Sequence, residues 1–406
     1  MCFVTVPHPL GMISKEEVNA KVDAAFDDIV KAATAWTPSK EKQDAQVKPY
    51  PAKRFKFSGT YADVNDMFQK RKWSLSLPIV PPTVDKVAAM LKGTKRNPAE
   101  VLWVVPPRQG MLTVELVAVL GVMAGAKPEH MPLLIATVEA MADPVAAWRG
   151  PTTTTAATVP VFFISGPIID KLKLNPGTGT AGGENPVTNA LGYFVNLVGD
   201  VVGGSVPPNF DKSTHGSSAD LVAMVFTENA KENPWKTTYA EEAGFKPGDS
   251  IVTHFSAYLG NANIDHDSKT GQRLLTTLST GLLGSASGLA SCLADYDATY
   301  AINNKVSFAF IVLCPEHAAT IAKDFPDQRA ARDFMRETAA MPYKFYSQET
   351  CVPGKDFGPY DENTFIPRFK KTESIKFFVS GGPGKQSQIW VPFPQVFKPV
   401  SKKIAE

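Results

Sequence analysis

The stretch TVPVFFIS, residues 158–165, is nearly continuous in apolar side chains from Val159 to Ile164. A strand with one wet face alternates polar and apolar residues, whereas a strand covered on both faces reads as an unbroken apolar run. Four more stretches have the same character: LVAMVFT (221–227), SIVTHFSAY (250–258), KVSFAFIVLC (305–314) and SIKFFVS (374–380). VLWVV (101–105) adds a shorter strand. Helical patterns lie between and before them. VDKVAAMLKGT (84–94) ends at Gly93, LTVELVAVLGVMAGA (112–126) is apolar all round, and EHMPLLIATVEAMAD (129–143) opens after Pro128 and stops before Pro144. This alternation predicts a layered α/β fold with a mostly parallel or mixed sheet.

At the front of the chain, CFVTV (2–6) reads as a strand broken by PHPLG. SKEEVNAKVDAAFDDIVKAATAW (14–36) reads as an amphipathic helix, with Ser14 as N-cap and Glu17 in the capping-box position. A single strand so close to the start cannot bury both faces alone, so it needs a sheet from elsewhere in the chain or from a partner. Residues 37–60 are polar, basic and proline-containing, as expected of a linker or surface arm. The expected division is a strand-helix arm over 1–75, suited to docking a partner, and a main α/β substrate-binding region over 76–406 with room for two subdomains.

Composition narrows the function classes. The 406 residues are 44% hydrophobic and 20% charged with a net charge of +2, as in ordinary folded proteins. That balance gives no electrostatic case for nucleic acid or a membrane surface. There is no apolar run of membrane-spanning length and no charged segment leading into an apolar one at the N-terminus, so a cytoplasmic location is expected. Cys2, Cys292, Cys314 and Cys351 are scattered without CxxC or metal-ligand spacing. Cys314, closing an apolar run, reads as a buried core thiol. No zinc site is expected.

The loop NPGTGTAGGEN (175–185) has glycines at 177, 179, 182 and 183 and runs into a helix opened by Asn185 and Pro186. Glycine permits positive φ and close approach to a ligand, and a helix start offers unpaired N–H groups to an anion. Asn175, Gly177, Thr178, Gly179, Glu184 and Asn185 are therefore candidate binding residues, against the plainer reading of a loop without a ligand. Neither a phosphate loop nor a dinucleotide fingerprint is present, so no nucleotide or metal cofactor can be named.

Nearly every strand runs into a polar or glycine-rich loop, and α/β sheets bind ligands at the carboxyl ends of their strands. Gly381–Lys385 reads as a nest of N–H groups beside a cation, through Gly382, Gly384 and Lys385, or else as a tight turn with a solvated lysine. Arg108 is an anion candidate or a surface arginine. Glu115, one turn into an apolar helix, reads as a general base or a helix-start charge. Glu228 and Asn229 follow a strand where a substrate would lie. His215 and His254 are acid–base candidates. His266 lies in a DHD loop that reads as solvated or metal-binding, and His130 reads as structural. Pro315-Glu316-His317 reads as a helix start with Glu316 in the first turn.

Several of these stretches together resemble the UGSC family of (seleno)proteins: PPTVDKVAAMLKGT (81–94), residues 104–141, GPI (166–168), GENPVTNALGYFVNLVGDVVGG (183–204), FTENAKENPW (226–235), CPEHAATIA (314–322) and GGPGKQS (381–387). The likeness spans roughly residues 76–400 in order and spacing. In that family a small α/β domain bearing a Cys- or Sec-Gly-Ser-Cys motif precedes this region and ends in a segment similar to residues 4–30. The resemblance therefore implies that a separate small subunit carries the thiol and docks near residues 1–36. Two histidines of the family pattern are replaced, by Ala156 and Gln386, and its asparagine before GPI is Ser165. Arg108, Glu115, the 177–185 loop, Glu228, Asn229 and Lys385 stand at matching positions.

The expected function is the large subunit of a hetero-oligomeric enzyme acting on a small polar or anionic organic molecule. The partner would supply the thiol for reductase, hydrolase or lyase chemistry. Arg108 and Lys385 would orient charge, and Glu115 or Glu228 would move protons. The alternatives are a self-sufficient lyase or hydratase using His215 or His254 with a carboxylate, and a non-catalytic scaffolding subunit.

Overall fold

The computed structural model describes residues 4, 6, 13–35, 50–183, 185–206, 214–258, 260–284, 308–345, 361–369, 371–393, 396 and 398–405. The chain divides into two units, Met1–Lys48 and Pro49–Glu406. The expected arm is thus split between them. Residues 49–75 go with the main body because Phe68 joins its largest apolar core.

In the first unit, a helix spans Lys15–Thr34. The Ser14 hydroxyl accepts the Glu17 N–H at 3.2 Å, and the Glu17 carboxylate accepts the Ser14 N–H at 2.9 Å, completing the expected capping box. Of the expected first strand only Val4 and Val6 are described, and neither has strand pairing. On the helix, Val22, Phe26, Ile29 and Val30 are exposed, at spacings that place them on one face.

The second unit is α/β with mixed sheets. Its strands are β1 Val101–Val105, β2 Gly110–Thr113, β3 Val159–Ser165, β4 Met224–Thr227, β5 Ile251–Ala257, β6 Asn261–Ile264, β7 Ala309–Leu313, β8 Ala340–Pro342, β9 Phe365–Pro367, β10 Ile375–Val379, β11 Gln386–Trp390 and β12 Val400–Lys403. Two four-stranded sheets dominate, in the orders β12-β5-β3-β4 and β10-β7-β11-β6. The pairs β3–β4 and β7–β10 are parallel, and the remaining pairs within these two sheets are antiparallel. β1–β2 and β8–β9 form separate antiparallel ribbons.

Side-chain alternation along each strand sets the layering. Val159, Val161 and Phe163 of β3 share one core with Phe255 of β5, Phe310 and Val312 of β7 and Phe378 of β10. The opposite faces go elsewhere. Phe162, Ile164, Val225 and Val252 pack with the helices Val114–Met123, Met131–Ala142 and Pro186–Asn196. Ile311, Leu313, Phe377 and Val379 pack with the helices Gly271–Leu283, Pro315–Asp324 and Gln328–Thr338. The unit is therefore helix, sheet, sheet, helix, which explains why β3, β5 and β7 read as unbroken apolar runs.

Between the sheets the contacts are aromatic. Phe163 lies 4.3 Å from Phe310, 4.8 Å from Phe378 and 5.4 Å from Phe226, centroid to centroid. Bridges Glu228–Ser380 and Ala257–Pro392 join the two sheets at their ends. β3 and β4 run parallel in one sheet and β7 and β10 in the other, and the first of these bridges brings the carboxyl ends of β4 and β10 together.

Candidate active site

Glu228 follows the last residue of β4 and is 3% exposed. One carboxylate oxygen accepts the Ser165 hydroxyl, which closes β3. The other accepts the Tyr239 N–H at 2.7 Å. Ser165 Oγ in turn accepts the Ala240 N–H at 3.2 Å. The serine hydroxyl thus accepts one N–H and donates to the ionised Glu228, and it has a second lone pair with which to accept from the carboxyl when that is protonated. Burial raises the carboxyl to about 7 despite these donors, and Glu241 and Glu242 push it the same way.

Asn229 is tied across to the second sheet. Its N–H donates to Val379 O at 2.8 Å and its side-chain amide to Gly381 O at 3.1 Å. Ser380, after β10, donates its N–H to Leu313 O at 3.0 Å and its hydroxyl to Thr227 O at 2.7 Å.

The glycine-rich loop closes over this seam. Thr180 Oγ1 accepts the Thr227 N–H at 3.2 Å, and Gly381 donates its N–H to Pro176 O at 2.8 Å. The loop's own N–H groups are largely used internally: Gly177 donates to Asn175 Oδ1 at 2.9 Å, Thr180 to Gly177 O at 3.0 Å and Gly182 to Gly179 O at 2.7 Å. Gly179 has φ +74, a conformation that favours glycine. Asn185 does not cap the helix beginning at Pro186. Its amide turns back to Asn175 O and Thr180 O, each at 3.3 Å, and leaves Oδ1 buried without a partner. Thr227 Oγ1 is unpartnered as well. Glu184 lies outside the described residues.

The expected anion nest at 381–385 already holds an anion. Gly384 and Lys385 donate their N–H groups to Glu316 Oε2 at 2.5 and 3.0 Å, and these bonds hold that carboxyl below its usual range. Lys385 Nζ donates to His266 O at 2.9 Å. A substrate anion would have to displace an intramolecular carboxylate, so Gly384 and Lys385 act as an internal latch. Gly382 serves a different purpose: a Cβ there would fall 2.1 Å from Thr178 Oγ1, so only glycine lets the two loops touch.

Other expected participants lie elsewhere. Arg108 sits in the β1–β2 turn, with its N–H on Gly203 O at 2.9 Å and its side chain against Gly204. The helix from Pro186 and its π-helical continuation to Val202 separate that position from the glycine-rich loop, about 25 Å at 1.5 Å per residue. Glu115 is buried but committed, accepting the Ala52 N–H at 2.6 Å and pairing with Arg54 at 3.4 Å. It pins residues 52–54 to an apolar helix and is not a free base. His254 is wholly buried in mid-β5, stacked 4.5 Å from Phe162. Burial drives it down to about 3, so it stays neutral and carries no proton near neutrality. His215 is exposed on a polar turn. His130 accepts the Lys127 N–H at 3.1 Å in its own helical turn. His266 is exposed, and among the described residues no cluster of three or more His, Cys, Asp or Glu is placed to hold a metal ion.

Cys314, read from sequence as a core thiol, and His317, read as part of a helix start, form a pair at the end of β7. Cys314 precedes the helix Pro315–Asp324, and His317 lies in its first turn. His317 Nδ1 is 2.8 Å from Ser387 Oγ and its Nε2 is 3.1 Å from Asp265 O. A carbonyl only accepts, so Nε2 carries a hydrogen. Burial pushes the Cys314 thiol up, but the His317 imidazole and the N–H groups of His317 and Gln386 outweigh it and hold the thiol below its ordinary value. Burial pulls His317 down, and Cys314 and Asp265 more than reverse it. Cys2, Cys292 and Cys351 lie outside the described residues.

The structure brings the expected Glu228, Asn229 and glycine-rich loop together, Thr180 of that loop included, with Ser165, Tyr239 and Ser380, which the sequence did not single out as their partners. The position of Ser165 and Ser380 at strand ends was the available signal. Comparison of the chain with protein families, curated proteins and solved structures finds no match. No helix among the described residues is long and apolar enough to cross a membrane.

Proposed function

We propose that this chain is the large, substrate-binding subunit of a two-component enzyme acting on a small polar or anionic organic molecule. Glu228 moves protons, and a separate small subunit brings the reactive thiol. Glu228 is the observation that carries the reading: a buried strand-end carboxyl raised to about 7 is poised to give or take a proton near neutrality. The unpartnered Asn185 Oδ1 and Thr227 Oγ1 favour a small polar ligand in the same seam. Because Ser165, Glu228 and Asn229 are all buried, entry requires the glycine-rich loop to lift. The resemblance to the UGSC family supports the thiol-bearing partner. The exposed stripe Val22, Phe26, Ile29 and Val30 offers it an apolar docking face.

The test is to produce this chain with and without the small subunit and to follow turnover against pH. The pair is expected to show an inflection in kcat/KM near pH 7, and Glu228→Gln should remove it while still assembling. Full activity of this chain alone would overturn the two-component reading. An unchanged pH profile in Glu228→Gln would overturn the role of the carboxyl.

Cys314 and His317 favour a second reading, in which the chain carries its own thiolate beside an imidazolium. Cys314→Ala separates the two. It should leave the activity of the assembled pair intact if the partner supplies the thiol, and abolish it if Cys314 does.

A further inference from the structure

A cavity of about 520 Å³ has Tyr239 among its lining residues, and the backbone N–H of that residue is on Glu228. Its volume is that of a small-molecule site. Three cations line it, Lys371, Lys376 and Lys398, together with two carboxylates, Glu242 and Glu373.

Both carboxylates are already neutralised. Arg332 grips Glu242 with two nitrogens, Nη1 to Oε1 at 2.9 Å and Nη2 to Oε2 at 2.5 Å, and Lys376 joins it at 3.3 Å. Glu373 is drawn to Arg329 at 2.7 Å. Among the described residues neither Lys371 nor Lys398 is bonded to a carboxylate. Asp143, whose carboxylate feels the charge of Lys398, is bonded to Lys402 at 2.7 Å. The cavity therefore holds surplus positive charge.

Ser374 belongs to the same lining. The residue is 2% exposed, yet its hydroxyl has no hydrogen-bond partner. A buried hydroxyl left unpaired is destabilising, and a ligand oxygen that reached it would offset that cost. Phe308 and Phe245 complete the lining with apolar surface.

We propose that this cavity binds a small phosphate monoester, its phosphate between Lys371, Lys398 and the Ser374 hydroxyl and its organic part against Phe308 and Phe245. Lysine ammonium groups act as point charges that suit a compact dianion, whereas a carboxylate ligand is typically met by a planar arginine fork. The two guanidinium groups bonded to the cavity's lining are already engaged, Arg332 on Glu242 and Arg329 on Glu373. The site does not depend on the role of Glu228.

Titration calorimetry with inorganic phosphate and with phenyl phosphate, at constant ionic strength, tests the assignment. Both are expected to bind at one site per chain, phenyl phosphate at least tenfold more tightly because it also covers the aromatic wall. The double variant Lys371→Ala/Lys398→Ala, changed only at exposed side chains, should weaken both at least tenfold with unchanged thermal unfolding of the ligand-free protein, and Ser374→Ala should weaken both several-fold without lowering its unfolding temperature. Equal heats from chloride, or undiminished phenyl phosphate binding in the double variant, would overturn the proposal.

Discussion

At Glu228, burial and hydrogen bonding pull in opposite directions, and burial wins. The ordinary value of 4.5 rises to about 7, a difference of about 3 kcal/mol between the two protonation states. Below pH 4.5 the folded and unfolded chains are both protonated here and the group is silent. As pH rises through that value the unfolded chain ionises first, so folding stability is progressively lost until about pH 7, where the folded carboxyl ionises too. Urea unfolding of wild type and Glu228→Gln at pH 4.5 and pH 8 should therefore diverge by about 3 kcal/mol, in favour of the glutamine variant at the higher pH. A constant difference would mean that folding does not shift this carboxyl. Glu228 was legible as a polar residue directly after an apolar strand, where α/β sheets bind their ligands. His254 misled for the complementary reason: a strand position near a loop looked accessible, and only the facing Phe162 and the helical layer bury it. Cys314 is buried as its apolar run implied, but that run says nothing of the histidine three residues after.

At the scale of elements, the loops were legible as loops but their partners were not. The nest at 381–385 looked open because the carboxylate that fills it, Glu316, comes from a helix 68 residues earlier than Gly384. β6 (NANI), β11 (QSQIW) and β12 (VSKK) escaped notice because they are short and carry polar residues among the apolar ones. β6 and β12 are sheet edges, and such strands lack the apolar continuity of β3. The contact of greatest consequence for the site joins the two glycine-bearing loops. At Gly382 an added methyl would meet Thr178 Oγ1 at 2.1 Å and the Thr178 backbone at 2.9 Å. Gly382→Ala should therefore pry the 175–183 loop off the strand ends while leaving both sheets intact. Hydrogen exchange is expected to accelerate at residues 177–182 and at Thr227, whose N–H is held by Thr180, with little change in β5 or β7. The double variant Gly382→Ala/Thr178→Ala should restore part of the protection, because the side-chain clash is relieved and the backbone one remains. Unaltered exchange in the single variant would show that the loops are not coupled.

For the whole molecule, the apolar strands foretold an α/β fold with mixed pairing, but not that the strands would divide between two sheets packed on one another. Nothing in any one strand distinguishes a face that meets helices from a face that meets another sheet, because both are apolar. What sorts them is alternation read jointly: Phe163, Phe226, Phe255, Phe310 and Phe378 all fall on inward positions, and their rings lock into one cluster. Phe163 touches all four of the others, at 4.3 to 5.9 Å between centroids, and so couples the sheet bearing Ser165 and Glu228 to the sheet bearing Cys314 and Ser380. Truncating it leaves a void that four aromatic neighbours from both sheets cannot all close. Phe163→Ala is expected to cost about 3–5 kcal/mol in urea unfolding, as large-to-small core changes do, whereas Phe26→Ala on the exposed helix face should cost little in the isolated chain. If the two sheets are one cooperative body, exchange protection in β3 and in β7 should fall together in Phe163→Ala, and the seam that holds Glu228 should loosen with them. Loss of protection in β3 alone, with β7 unmoved, would mean that the sheets fold independently and that the strand-end site is assembled only when they dock.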